Sequence, residues 1–363
     1  MKITAGRSDR FVPETHTPLW ISARKLEALL KTAPTPLFVY DEKSLVRAVQ
    51  ALFAAFSWEP GFLPRFPVRM DPDPPVLRIL RGAGCGALCR DGRELRLAAA
   101  CGFAGPAVAY APMRPDAAAE QLARELGAVF VLDGPQVLPA FAPEAAVLLL
   151  RQQGPLRISG RPIMGAPVSS AGMEEAELCR LAAETAVRLR EKSGLTAKIF
   201  DLGGGFGVSC RPDCPGPDLS ACAEALRAQT CALPEALQGV QLSMSPGRFL
   251  AAGGGVLVCR VVAVKPGPTA VLDVSAAQCL RLEKRGAYHA AAALRTAGRP
   301  PLLQQLTTLE QGAPFARQVL PQLRAGDPVI IRMLGADGRS FSCASERCPA
   351  YLLRADGTIE PIE

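Results

Sequence analysis

Asparagine is absent from this chain of 363 residues, and only eight lysines stand beside far more numerous arginines. Such a bias fits a GC-rich genome that has replaced Asn and Lys codons, and it bears on how single arginines are read. Histidine occurs twice, at His16 and His289, which leaves few imidazoles for a metal centre. No apolar run approaches the length of a membrane span, so no membrane partner is expected. Blocks of like charge are lacking too. The 41 basic and 34 acidic residues give a net charge of +7, but the basic residues are scattered. Nucleic-acid binding needs a clustered basic patch, so nucleic acid is not an expected partner. A small phosphate-bearing ligand is easier to accommodate. The segment Met1–Phe11 is polar and has no apolar signal core, so the expected location is cytoplasmic.

Cysteine, by contrast, is plentiful at twelve residues. In a reducing compartment these read as free thiols. The pairs Cys85/Cys89, Cys210/Cys214 and Cys343/Cys348 are not spaced as the usual two-residue zinc knuckle, and no metal site is expected. With 49% hydrophobic residues, the chain can bury a sizeable core.

Periodicity organises the chain into two regions. An apolar strand near Leu19–Ile21 and a helix Ala23–Lys31 with Ser22 as N-cap open it. The apolar run Thr35–Tyr40 and an amphipathic helix Glu42–Phe56 follow. Strand-type runs at Arg65–Arg69, Ala107–Ala111, Ala128–Leu132, Val147–Leu150, Ala197–Leu202 and Val240–Ser245 then alternate with helical ones. The helices are at Pro75–Arg81, Arg93–Cys101, Ala117–Leu126, Met173–Lys192 and Leu219–Ala232. Such alternation predicts a parallel sheet, open or closed. The run Gly203-Gly-Gly205 falls at a strand's C-terminal end, where a barrel carries its active site. Beyond about Gly254 the pattern changes to strands separated by Pro/Gly turns, at Val256–Val264, Thr269–Val274, Pro328–Met333 and Ser340–Ala344. That rhythm predicts a second, β-rich domain.

Several strings, in one order, resemble the fold-type III pyridoxal-phosphate decarboxylases of the diaminopimelate decarboxylase type. Thr35-Pro-Leu-Phe-Val-Tyr-Asp41 is similar to TPLYVYD. Phe66-Pro-Val-Arg-Met-Asp-Pro-Asp-Pro74 is similar to YAVKANPNP, and Asp201-Leu-Gly-Gly-Gly-Phe-Gly207 matches DLGGGFG. Ser245-Pro-Gly-Arg248 resembles EPGR, and Leu320-Pro-Gln-Leu-Arg-Ala-Gly-Asp327 resembles LPELEPGD. Leu272-Asp273, Arg281 and Gly286-Ala-Tyr-His289 match a stretch particular to the diaminopimelate branch. The resemblance implies an α/β fold: an irregular (β/α)8 TIM-like barrel of the alanine racemase type, over residues 34–250. A β-domain would comprise 1–33 and 251–363. The barrel irregularity is expected around Arg151–Gly172, where a strand–helix unit looks abbreviated.

The same alignment departs from the family at its chemistry. The lysine that forms the cofactor imine becomes Arg69, a permanently protonated guanidinium that cannot form one. The glutamate that keeps the ring nitrogen protonated becomes Ser245. The Cys of the CESxD segment falls on Thr308, and the GAYG tyrosine on Asp337. The Asp of GAGFDVVS falls on Leu88. For the ring-stacking histidine only Pro162-Ile-Met-Gly-Ala166 or Arg157-Ile-Ser-Gly160 could stand in. What the resemblance leaves in place is an anion site: Gly203, Gly204, Gly205, Gly247 and Arg248, with backbone N–H groups free to approach a phosphate, or else ordinary tight turns. Arg281 and Tyr288 would face a substrate, Arg281 binding a carboxylate or else being an ordinary salt bridge or solvated side chain, and His289 reads as a structural histidine.

The expectation is a decarboxylase-like pseudoenzyme acting as a binding or regulatory subunit. It would be a homodimer or a heterodimer with an active homologue. Pyridoxal phosphate would bind non-covalently or not at all. The rival readings are an active decarboxylase using another lysine, Lys198 being the one on a predicted barrel strand, and a non-covalent carrier of a phosphorylated metabolite.

Overall fold

The computed structural model describes residues 19–57, 61–112, 114, 116–132, 148–151, 157–158, 161–162, 199–201, 203, 208, 219–220, 223, 241–275, 277–278, 289–294, 296–310, 314–339 and 347–362. In chain order the elements are α1 (Ala23–Leu29), β1 (Leu37–Asp41), α2 (Glu42–Ala55), β2 (Phe62–Pro67), a 3-10 turn (Val68–Met70) and α3 (Pro74–Gly82). Next come β3 (Gly86–Cys89), α4 (Gly92–Ala100), β4 (Val108–Tyr110), α5 (Ala117–Glu125), β5 (Val129–Leu132), β6 (Leu148–Arg151), β7 (Arg157–Ile158) and β8 (Arg161–Pro162). Then follow β9 (Ile199–Asp201), β10 (Gln241–Met244), α6 (Gly247–Ala251), β11 (Gly255–Lys265), β12 (Thr269–Leu272) and β13 (Ala291–Ala293). The last strands are β14 (Pro301–Thr307), β15 (Ala316–Pro321), β16 (Pro328–Ile331), β17 (Ala350–Leu353) and β18 (Ile359–Ile362).

Parallel strands β10, β2, β3, β4, β5, β6 and β9 close into a barrel, in that order. Among the described strands seven close the ring, with β6 paired directly to β9, Leu150 opposite Phe200; most of 151–172, where the irregularity is expected, lies outside the described residues. Between them the short β7–β8 pair stands apart as a hairpin. Inside the barrel, Leu88, Ala109, Ala111, Val129, Val131 and Ile199 form one buried apolar cluster, alternating with outward residues such as Tyr110 and Phe130. Tyr110 and Phe130 pack edge to face at 5.7 Å under the outer helices.

The helices follow the local signals. Ser22 accepts from Lys25 N and caps α1. Asp41 caps α2 with a 2.8 Å bond from Ser44 N, and Leu45, Val49 and Leu52 bury the inner stripe. Asp91 accepts from both Arg93 N and Glu94 N at the start of α4.

The remaining strands form a mixed nine-stranded sheet, β15-β14-β12-β11-β1-β17-β18, with β16 also on β11 and β13 on β16. Residues 37–41 fall on the barrel side of the boundary expected at 34, but β1 pairs antiparallel with β11 and parallel with β17 in this sheet. All five of its residues are buried, which is why the run reads as continuously apolar. No strand forms at Leu19–Ile21. Trp20 donates its indole N–H to Gly253 O, and Ile21 is buried against β1 and β11. Among the described residues, no helix is long and apolar enough to cross a membrane, and no group of three or more His, Cys, Asp or Glu could hold a metal ion. Cys85, Cys89, Cys101 and Cys348 are buried free thiols, and burial pushes that of Cys85 up to about 12.

Candidate ligand site at the barrel mouth

The strand read at Arg65–Arg69 is shifted: β2 ends at Pro67, where its ladder with β3 stops at Leu88, and Arg69 lies in the 3-10 turn beyond. Arg69 is half-buried at the C-terminal mouth, with Nη1 withdrawn from solvent. Its turn packs on α4, and the guanidinium favours the ionised form of Glu94. Burial acts the other way and is stronger, raising the Glu94 carboxyl above the ordinary range. The 2.8 Å bond from Arg90 N opposes this, Asp91 adds to it, and Arg69 opposes it again. Leu88 faces the barrel interior within the aliphatic cluster, so the position of the family's Asp carries no charge.

The loops after β9 and β10 meet. Ser245 N donates to Gly203 O at 2.7 Å, and Gly247 N donates to Ser245 O at 3.0 Å. Gly203 has φ of +77°, a conformation that favours glycine, and its N–H is taken by Asp201 Oδ1 at 2.5 Å. A Cβ on Gly247 would lie 2.9 Å from Met70 Cγ and 3.2 Å from Pro67 Cδ. That glycine therefore lets the β10 loop close onto the turn bearing Arg69. Ser245 is buried, and its Oγ has no hydrogen-bond partner among the described residues. Arg248, half-buried, is on α6 directly beyond. Gly204, Gly205, Arg281 and Tyr288 lie outside the described residues.

The mixed sheet reaches the same mouth. Asp337 N donates to Met70 O at 2.8 Å, and Asp337 is held at φ of +60°. Thr308, by contrast, is buried at the end of β14, in the outer branch of the mixed sheet. His289 is fully buried with Nδ1 3.2 Å from Arg332 O, in keeping with a structural histidine.

Three sets of side chains, two at this mouth and one deeper in the barrel, were not singled out from the sequence as functional groups. The first is Glu94 beside Arg69. The second is a carboxylate cluster just past Arg69. Asp73 is ion-paired with Arg339 and Arg347 from the mixed-sheet region, while Asp71 accepts from Tyr40 Oη at 2.5 Å and from Asp73 N at 3.1 Å. Burial, then the charge of Asp73, push the Asp71 carboxyl up to about 8. These carboxylates stand where the motif YAVKANPNP has its two asparagines. The signal was therefore present, as Asp for Asn in a chain without Asn. The third is Arg65 inside the barrel, described below; strand alternation from Pro67 would have placed it on the inner face.

Known proteins are similar to this chain in sequence and in fold. The family model for the pyridoxal-dependent decarboxylase pyridoxal binding domain matches residues 168–252. Protein TabA of Pseudomonas amygdali pv. tabaci is 28% identical over 91% of this chain and 88% of its own length. The diaminopimelate decarboxylase of Deinococcus radiodurans is 26% identical over 89% of this chain and 90% of its own. The crystal structure of diaminopimelate decarboxylase from Helicobacter pylori complexed with L-lysine superposes with a TM-score of 0.72, covering 93% of this chain and 96% of that one at 19% identity. The chain has the fold of the pyridoxal-phosphate decarboxylases. The matched model is that of a pyridoxal binding domain, which makes pyridoxal phosphate the cofactor to test against this site.

Whether these residues suit that cofactor depends on its two ends. At the aldehyde end they do not: the guanidinium of Arg69 stays protonated and forms no imine. Among the described lysines, Lys25 donates to Gly357 O, and Lys31, Lys43 and Lys265 are exposed outside the barrel. Lys198 lies outside the described residues, although Asp201, three residues on, faces inward. At the phosphate end, the N–H groups of Gly203 and Gly247 are already used within the loops. Next in the same segment come Ser245, whose buried hydroxyl has no hydrogen-bond partner among the described residues, and Arg248 on α6.

Proposed function

We propose that this chain is a diaminopimelate-decarboxylase-like pseudoenzyme, without decarboxylase chemistry, that acts as a binding or regulatory subunit. The observation that carries the reading is Arg69, a fixed cation half-buried at the mouth where the related enzymes need a lysine. Leu88 and Ser245 support it, because each replaces a carboxylate that the chemistry uses with an uncharged group. A homodimer, or a heterodimer with an active homologue, is the assembly proposed, in the cytoplasm. The ligand proposed is a phosphorylated small molecule, pyridoxal phosphate included, held non-covalently. In support, the β9 and β10 loops are hydrogen-bonded neighbours, and Arg248 and the unpartnered Ser245 Oγ lie on the second of them. Arg281 and Tyr288 remain proposed substrate-facing residues.

Borohydride trapping tests the non-covalent mode. Protein incubated with pyridoxal phosphate and reduced should carry no cofactor mass on any lysine peptide. A stoichiometric adduct on one lysine, Lys198 included, would establish the rival reading of an active enzyme with a relocated lysine. Calorimetry with pyridoxal phosphate and with pyridoxal tests the phosphate site. Tighter binding of the phosphorylated form is expected, and equal binding of the two removes that site.

A further inference from the structure

We propose that Arg65 is a positioning residue for the mouth loops, acting through Ser243 and Asp201 on Gly203 and Ser245; its bearing on ligand binding rests on the phosphate reading above. Arg65 is fully buried in the barrel interior, where a small barrel is ordinarily filled with branched aliphatic side chains. Its Nη1 donates to Ser243 Oγ at 2.5 Å, and its Nη2 donates to Pro106 O at 2.7 Å, ahead of β4. The single hydroxyl proton of Ser243 is then directed onward, to Asp201 Oδ2 at 2.9 Å. The other carboxylate oxygen of Asp201 accepts Gly203 N, and Gly203 O accepts Ser245 N. One directed chain of bonds thus runs from β2, through the side chains of β10 and β9, into both loops at the mouth.

The fold makes room for this cation. A Cβ at Gly86, opposite Arg65 on β3, would lie 2.4 Å from Ala107 O and 3.0 Å from Arg65 Cγ. Burial lowers the guanidinium to about 10, and Asp201 works against that fall, so Arg65 is charged at neutral pH. Taking a cation out of water is costly, and apolar residues of similar volume often replace buried ion pairs without loss of stability. The chain therefore does more for the geometry of the loops than for the stability of the barrel. Gly203 and Ser245 have their backbones held from below, whether or not a ligand is bound above.

The test uses the full chain and three variants: Ser243→Ala, which breaks the relay; Ser243→Thr, which keeps the hydroxyl; and Arg65→Met, which fills the space without charge. Amide hydrogen exchange at Gly203 and Ser245 is the primary readout. Exchange should accelerate about tenfold in Ser243→Ala and Arg65→Met, the cost of roughly one lost hydrogen bond, and stay near the parent rate in Ser243→Thr. The preference for pyridoxal phosphate over pyridoxal, measured by calorimetry, should fall in step. Unchanged protection in either relay-breaking variant overturns the proposal, as does equal loss in Ser243→Thr and Ser243→Ala. If the parent protein shows no phosphate preference while exchange still responds, the phosphate reading fails and the positioning role stands.

Discussion

At the scale of single residues, an arginine at position 69 in place of the related enzymes' lysine would, on the proposed reading, keep the charge and remove the chemistry. A primary amine can condense with an aldehyde; a guanidinium held at the mouth beside Glu94 can only pair with anions. Reverting Arg69→Lys should therefore yield at best an imine absorbance band with added pyridoxal phosphate, and no measurable product from diaminopimelate. Ser245 would still offer no acid to the ring nitrogen, and groups that act as a unit recover little when one is restored.

Asp71 makes a separate prediction. Its carboxyl is raised from 3.8 to about 8 in the folded chain by burial and Asp73. Below about pH 4 it is protonated in both states and costs nothing. As pH rises toward 8 only the unfolded chain ionises, so stability falls through that window and levels off above it. Asp71→Asn, which keeps an oxygen for the Tyr40 hydroxyl, should flatten that slope. It should gain on the order of a few kcal/mol over the parent near pH 8. Urea denaturation at pH 5 and pH 8 measures it, and parallel pH profiles for the two proteins would show that Asp71 is ionised in the fold.

At the scale of elements, the barrel depends on close backbone approaches, the one at Gly86 lying where β3 and β4 begin. Gly86→Ala would drive a methyl into Ala107 O and against Arg65, so β3 and the entry to β4 must separate. A loss of roughly 2 kcal/mol or more is expected by chemical denaturation, since overpacking typically costs about 1–3 kcal/mol and here the obstacle is backbone. The elements themselves were largely legible. Helices α2, α4 and α5 carried both an apolar stripe and an Asp cap. What periodicity could not give was partnership: β1 reads as a barrel-type apolar run, yet it is buried on both sides between β11 and β17. Nor could it give the end of β2, because Arg65 and Arg69 look equivalent by alternation until the turn at Val68 takes Arg69 out of the strand.

At the scale of the whole molecule, barrel and mixed sheet meet over the residues that follow Arg69. Arg339, nearly fully buried, and Arg347 neutralise Asp73, and Asp337 N holds Met70 O. Arg339→Met should destabilise by about 3 kcal/mol, the low end for breaking a buried pair, because Arg347 still offsets the carboxylate. Thermal unfolding with and without Asp73→Asn checks this, and the double variant should recover much of the loss. The motif strings revealed the fold because they mark turns and close contacts that the backbone requires, as at Gly203 and Gly247. They did not reveal what those glycines serve, since the same residues satisfy the chain's own packing. On the proposed reading, a chain with this fold carries no decarboxylase chemistry of its own. Carbon dioxide release from meso-diaminopimelate by the purified protein, with pyridoxal phosphate in excess, tests it most directly. No release above the protein-free rate is expected, and turnover at about 1 per second, ordinary for an enzyme, would contradict it.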